Sequence, residues 1–190
     1  SDADVGLYSQ SLTLVQLPVA LVASAFGQVL FQRLSEAKYT GELGQVVADT
    51  FVLLLILGIP VFTVIFIWGK ELFSWFLGER WATSGVYAEL LAPWCCLKLC
   101  LNPLTYVFIV LERQGLFVLF TILILIGRVC AIVIGGIYGD IYMAILLFGI
   151  SGVFLNAIGL VTVSFLSKQT KENWKSALNN IGSFIVKIKM

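Results

Sequence analysis

The chain has 190 residues, of which 59% are hydrophobic and 12% are charged, and its mean hydropathy is +0.99. Soluble domains are nearer half apolar and a quarter charged, so this composition excludes an ordinary soluble domain and indicates an integral membrane protein. The formal net charge is +1, which gives no global field that would attract nucleic acid or an acidic substrate.

The start of the sequence bears on what kind of chain this is. It begins with Ser1 and has neither the charged n-region nor the small-residue cleavage site of a signal peptide. We therefore expect the chain to be part of a longer membrane protein.

Five runs of the sequence are apolar enough to cross a membrane as helices, which takes roughly 20 residues each. The connections after the third and fourth runs are short, so these helices are expected to be antiparallel neighbours. Strands of a membrane barrel would be about ten residues long and alternate in polarity, which these runs do not. The predicted fold class is an all-α, polytopic transmembrane helix bundle. Its spans are predicted at residues 11–31, 50–68, 87–111, 116–137 and 141–165.

The predicted organisation is a five-helix transmembrane bundle over residues 1–166 and a basic tail over residues 167–190. Apolar residues in the tail recur at steps of four, three, four and three, with the lysines mostly off this stripe. This pattern is typical of an amphipathic helix on a membrane surface, and a frayed polar tail is the alternative. The stripe comprises Trp174, Leu178, Ile181, Ile185 and Ile188. In the 69–86 loop, Phe and Trp residues favour a short helix lying at the membrane surface.

Lysine and arginine counts in the loops predict the orientation of the bundle. With five spans, the first loop, the third loop and the tail share one side, and the second loop lies on the other. The shared side has eight cations, namely Arg33, Lys38, Arg113, Lys168, Lys171, Lys175, Lys187 and Lys189. The other side has only Lys70 and Arg80. The C-terminus is therefore predicted to be cytoplasmic.

No catalytic or metal-binding pattern is visible. The four cysteines, Cys95, Cys96, Cys100 and Cys130, all lie in predicted spans, show no metal-ligand spacing and are interpreted as apolar filler. There is no His, and the carboxylates lie at span ends or in loops. We therefore expect the protein not to be an enzyme and to use no cofactor and no metal.

Two cations interrupt the apolar spans. Lys98 lies about 11 residues into the third span and Arg128 about 12 into the fourth, which places them near the same depth of two antiparallel helices. A charge at mid-bilayer costs about 2.5–3.5 kcal/mol on insertion scales, so such residues usually face a bundle interior and mark a substrate path. The alternative is a structural role, with bonds to backbone carbonyls freed near Pro93 or to an acid elsewhere in the protein. Asn102 at i+4 from Lys98 places that cation on a polar strip.

Small and polar residues form one face on each of two spans. In the fifth span the face comprises Gly149, Gly152, Asn156 and Gly159. In the first it comprises Thr13, Gln16, Ala20, Ser24 and Gly27. Small faces let helices approach closely in lipid, which is the favoured interpretation for the fifth span. For the first span, a face lining a watery cavity competes evenly with packing.

Three segments of the sequence carry a resemblance to a known family. The segment VGLYSQSLTLVQLPVALVASAFGQVLFQRLSE (5–36) resembles the eighth helix of bacterial polysaccharide flippases, which belong to the multidrug/oligosaccharidyl-lipid/polysaccharide exporter superfamily. LGERWATSGVYAELLAPW (77–94) resembles their Gly-x-x-Trp turn and following Ala-Pro-Trp helix, and NPLTYVFIVLERQ (102–114) the helix end after it. One departure is Gln32, where such proteins often have Pro.

The resemblance implies a two-lobed bundle of twelve or more helices, of which this chain would supply helices eight to twelve of the C-terminal lobe. Such proteins move undecaprenyl-pyrophosphate-linked oligosaccharides across the bacterial inner membrane by alternating access. Their products are O-antigen for lipopolysaccharide, capsule or exopolysaccharide. The implied partners are the lipid-linked oligosaccharide, the lipid bilayer, the N-terminal lobe, a glycan polymerase and a chain-length regulator, with no nucleic acid.

The predicted substrate-binding residues follow from the mid-span cations together with this resemblance. We expect Lys98 and Arg128 to attract the pyrophosphate, and Asn102, Asn156 and Gln16 to assist by hydrogen bonding. Two alternatives remain open at this point. A cation-coupled multidrug exporter of the same superfamily would favour carboxylates within the membrane, and a non-transporting membrane scaffold would need no cations facing a cavity.

Overall fold

A computed structural model of the protein describes the backbone of residues 2–188 and the side chains of residues 6–180. The described residues form helices and no strand, which confirms the predicted all-α class. In chain order the helices are α1 (Asp2–Thr40), α2 (Leu43–Leu77), α3 (Ala82–Leu104), α4 (Tyr106–Val110), α5 (Gln114–Tyr138), α6 (Ile141–Leu166) and α7 (Lys171–Ile188). A single 3₁₀ turn, Glu79–Trp81, joins α2 to α3.

Five helical stretches of the described residues are long and apolar enough to cross a membrane, and each overlaps one predicted span. They are Gly6–Thr40, Leu43–Leu77, Glu79–Val110, Gln114–Tyr138 and Ile141–Leu166. The third is interrupted at Thr105, between α3 and α4, two residues after Pro103. The described residues therefore form a multi-pass bundle.

Helix α1 continues well past Phe31, where the predicted span ended, and it passes through Gln32 without a break. It ends at Thr40 because Gly41 adopts a left-handed backbone conformation, with φ of 78°. The Glu42 N–H then donates to the carbonyl oxygen of Ala37 at 3.1 Å, which is the closing bond of a Schellman motif.

Helix α2 bends at Trp68, whose φ and ψ of −126° and 23° are not helical. Beyond the bend, residues 69–77 continue as helix, so the aromatic part of the predicted loop is a helical extension of the span. The Glu89 carboxylate accepts a hydrogen bond from the Lys70 N–H at 2.8 Å, which satisfies a backbone donor next to the bend. Trp75 is 78% exposed on this extension.

Helix α3 is the centre of the bundle, since it packs against α1, α2 and α6, while α5 packs mainly against α6. Trp94, Leu91 and Cys95 of α3 are fully buried in the main core cluster. Val15 of α1 and Phe148 of α6 complete this cluster from either side. Trp94 is thus packed between residues of α1, α3 and α6.

The small face of α6 packs against α3, as its sequence favoured. A Cβ atom on Gly152 would lie 2.5 Å from Cδ1 of Trp94, and one on Gly149 would lie 2.9 Å from the carbonyl oxygen of Leu90. Distances this short leave no room for a side chain. Glycine therefore permits the close approach of the two helices.

The three segments that have most of the basic residues lie together at one end of the bundle. Lys38, after the first span, forms an ion pair with Glu112 of the third connection at 3.0 Å. Helix α7 packs along the same end of α2, where the Trp174 ring meets Phe51 edge-on at 5.3 Å and Ala177 is buried. The packed face of α7 therefore includes Ala177, whereas Leu178 of the predicted stripe is 60% exposed. The side chains of Ile181, Ile185 and Ile188 lie outside the described residues.

Candidate functional site

A cavity of about 230 Å³ lies between α3, α5 and α6. Four of the five predicted site residues line it, namely Lys98, Asn102, Arg128 and Asn156. The remaining lining residues are Leu101, Thr105, Phe117, Phe120, Thr121 and Ile124. The polar strips expected around the two cations thus face a common space inside the bundle.

The two mid-span cations meet at a single aromatic ring. The Lys98 Nζ atom lies 5.0 Å from the centroid of Trp94, and the Arg128 Cζ atom lies 4.3 Å from the same centroid. Both distances are within the range of cation–π attraction. Two positive charges are thus held at the same depth of the bundle by one indole.

Gln16 is the fifth predicted residue, and it joins the site from α1. Its side-chain carbonyl oxygen accepts a hydrogen bond from Lys98 Nζ at 2.5 Å. Thr13 and Ser24, on the same face of α1, are exposed. This face of α1 is therefore open at Thr13 and Ser24 and half-buried at Gln16, which joins the site through its bond with Lys98.

Arg128 is positioned by contacts with aromatic rings. Its guanidinium lies 4.7 Å from the ring of Phe148, in addition to its contact with Trp94. Its Nε atom is buried and has no hydrogen-bond partner among the described residues. No described carboxylate forms an ion pair with either Lys98 or Arg128. The positive charge of the pair is therefore not neutralised within the part of the chain that the structure describes.

The two asparagines differ in how free their side chains are. Asn156 is only 4% exposed, and its amide nitrogen donates to the carbonyl oxygen of Gly152 at 2.6 Å. Asn102 is half-buried, and no described residue hydrogen-bonds to its side chain. Asn102 is therefore the better placed of the two to donate to a ligand in the cavity.

Trp94 and Phe148 are site residues that the sequence did not identify as such. Trp94 precedes Lys98 by four residues, so helical spacing alone places both on one face of α3. The four-residue spacing could therefore have identified Trp94 as a neighbour of Lys98 from the sequence. Phe148 has no comparable signal, because its contact with Arg128 depends on how α6 is rotated against α5.

The cysteines take no part in the cavity. Cys95 and Cys100 are buried, as expected of apolar filler, and Cys96 is half-buried. Cys130 is exposed on α5 and therefore does not fill the core of the described bundle. The described residues contain no group of three potential metal ligands.

The charged lining residues of the cavity are both cations. It contains two cations and two amides, and none of its described lining residues is Asp or Glu. A cation–π contact contributes about 0.5–2 kcal/mol, which is less than the cost of about 2.5–3.5 kcal/mol for one charge at mid-bilayer. Trp94 thus offsets only part of the cost of the two cations, and an anion would offset more.

Comparison with known proteins adds one finding. Residues 1–85 match the model of a family described as polysaccharide biosynthesis protein. No curated protein and no solved structure matches the chain. The matched stretch includes Gln16 but ends before Lys98 and Arg128. The match supports a role in polysaccharide biosynthesis for a multi-pass membrane protein.

Proposed function

We propose that the protein is part of a flippase that moves polyprenyl-pyrophosphate-linked oligosaccharides across the bacterial inner membrane by alternating access. The observation that carries this proposal is the pair of unneutralised cations on Trp94, inside a cavity without described carboxylates. The family match over residues 1–85 supports the same pathway. The products would be O-antigen, capsule or exopolysaccharide.

In this proposal Lys98 and Arg128 attract the pyrophosphate of the lipid carrier. Arg128 has a planar fork of donors that suits two phosphate oxygens, and Lys98 acts as a compact point charge. Asn102 donates an amide hydrogen bond to the same group. Gln16 holds Lys98 in place while the site is empty and gives it up when phosphate oxygens compete for the ammonium group.

A cation-coupled multidrug exporter is the first alternative. A cationic drug would be repelled by two positive side chains at one depth, and the cavity offers no described carboxylate to offset them. An assay of drug resistance separates the two: expression of the flippase leaves the inhibitory concentrations of cationic drugs unchanged, whereas an exporter raises them.

A non-transporting membrane scaffold is the second alternative, and it predicts a different environment for the two cations. A substrate path must admit water to positions 98 and 128 in at least one state. In a variant with the native cysteines replaced, a membrane-impermeant thiol reagent should label a cysteine at either position. A scaffold would leave both unlabelled.

The test of the proposed function is complementation of a strain that lacks the corresponding gene. Lys98→Ala and Arg128→Ala should each reduce surface polysaccharide strongly, because each removes one charge that holds the carrier. Protein abundance in the membrane should stay unchanged. The matched control is Arg33→Ala, which removes an exposed cation outside the cavity and should complement like the unmodified protein.

Two outcomes would count against the proposal. If both cavity variants complement fully, the two cations have only a structural role. If Arg33→Ala fails as badly as they do, loss of any cation impairs the protein, and the cavity has no special part.

A further inference from the structure

A second cavity lies at the basic end of the bundle, where α6 ends and α5 begins. Its volume is about 640 Å³, nearly three times that of the cavity around Lys98. Its lining residues are Leu111, Arg113, Ser164, Phe165, Leu166, Lys168 and Gln169. It shares no lining residue with the mid-membrane cavity.

Gln169 is the most unusual residue of this second cavity. Both polar atoms of its side chain, Oε1 and Nε2, are buried, and neither has a hydrogen-bond partner among the described residues. Buried amide groups are nearly always hydrogen-bonded, because an unpaired buried donor or acceptor is costly. A lining residue of the cavity thus has an amide without a described partner, and this favours a polar ligand that the side chain can turn to meet.

The charge balance of the cavity favours an anion. Arg113 and Lys168 both line it, while the neighbouring carboxylate of Glu112 is engaged by Lys38 at 3.0 Å. Arg113 is also the N-cap residue of α5, which has no side-chain cap and no acidic residue in its first turn. The unpaired N–H groups at that helix start add positive potential on the same side of the cavity.

The position of the cavity favours a lipid as the source of that anion. Arg113 directly precedes one membrane-spanning helix and Lys168 follows another within two residues, which places both at headgroup depth. Phe165 on the rim is 82% exposed and would contact acyl chains. A headgroup phosphate with attached acyl chains therefore matches a site that is cationic inside and apolar at its edge.

We propose that this cavity binds the phosphate headgroup of an anionic phospholipid, such as phosphatidylglycerol, from the leaflet on the basic side of the bundle. Arg113 and Lys168 neutralise the phosphate, and the Gln169 amide donates to one of its oxygens or to the glycerol hydroxyls. This site is separate from the proposed carrier site, and either proposal can fail while the other holds.

Native mass spectrometry of the purified protein, titrated with phosphatidylglycerol or phosphatidylcholine, tests the proposal. We expect tighter binding of phosphatidylglycerol, and Arg113→Ala and Lys168→Ala should each weaken it about fivefold, the effect of one basic residue near an anionic headgroup. Gln169→Leu should weaken it as well, and Arg113→Lys should retain most of it. The matched control is Lys175→Ala, a basic residue of α7 that does not line the cavity.

Four results would overturn the proposal. The first is equal affinity for the two lipids. The second is a loss in Lys175→Ala as large as in the cavity variants. The third is displacement of phosphatidylglycerol by millimolar inorganic phosphate, which would make the cavity a site for free phosphate. The fourth is loss of phosphatidylglycerol binding in Arg113→Lys with unchanged thermal stability, because this variant keeps the charge and remains folded.

Discussion

The contact between Trp94 and Arg128 gives a prediction whose size follows from the structure. The Arg128 Cζ atom lies 4.3 Å from the Trp94 centroid, in a partly buried site. Cation–π pairs contribute about 0.5–1 kcal/mol when exposed and about 2 kcal/mol or more when desolvated. We therefore expect this pair to contribute about 1–2 kcal/mol to the free energy of unfolding.

A double-mutant cycle isolates this contribution from the loss of packing. Trp94→Leu alone shortens a large, fully buried side chain, and its cost should be below the range of about 3–5 kcal/mol for truncation of Trp to Ala. Arg128→Met keeps the length of the side chain and removes its charge. The loss of unfolding free energy in the double variant should be smaller than the sum of the two single losses by about 1–2 kcal/mol. The reason is that each single variant loses the contact, whereas the double variant loses it only once.

The assay is reversible unfolding in mixed detergent micelles, followed by circular dichroism since the substitutions remove an indole. The matched control is Trp75→Leu combined with Arg128→Met. Trp75 is 78% exposed on the extension of α2 and does not contact Arg128. Its cycle should be additive. A Trp94–Arg128 coupling within about 0.3–0.5 kcal/mol of zero would refute the view that the indole stabilises the cation.

Three further predictions concern packing, charge geometry and orientation. Gly152→Ala should destabilise the protein by about 1–3 kcal/mol in the same unfolding assay, because its Cβ would lie 2.5 Å from Trp94. The control Gly136→Ala should cost far less, because the position has open space around it. Arg128→Lys should restore part of the surface polysaccharide lost in Arg128→Ala, since the charge survives but the planar fork does not. With native cysteines replaced, an impermeant reagent applied outside intact cells should label Thr83→Cys and spare Lys171→Cys; the reverse pattern would invert the orientation.

The sequence predicted the number of spans because hydrophobic runs report directly on the apolar thickness of a bilayer. It underestimated the length of α1 for the same reason. Residues 32–40 are largely polar, yet they remain helical, since a helix continues past the hydrocarbon region until a local signal ends it. Here that signal is the left-handed Gly41, which hydropathy does not detect.

The candidate site was predictable where it depends on spacing within one helix. Lys98 and Asn102 share a face of α3 by their separation alone, and the antiparallel arrangement placed Arg128 near the depth of Lys98. Contacts between helices were not predictable in the same way. The Lys98–Gln16 hydrogen bond joins residues 82 positions apart, and it depends on the rotation and register of α1 against α3.

The most direct test of the proposed function is transport in vesicles reconstituted with the complete protein. A fluorescent polyprenyl-pyrophosphate-linked sugar is placed in both leaflets, and an impermeant quencher reports how fast the inner pool reaches the outside. We predict rapid exchange with the unmodified protein and little exchange with the Lys98→Ala, Arg128→Ala double variant, while Arg33→Ala exchanges normally. Equal exchange by the double variant and the unmodified protein would contradict a substrate path through the Lys98–Arg128 cavity.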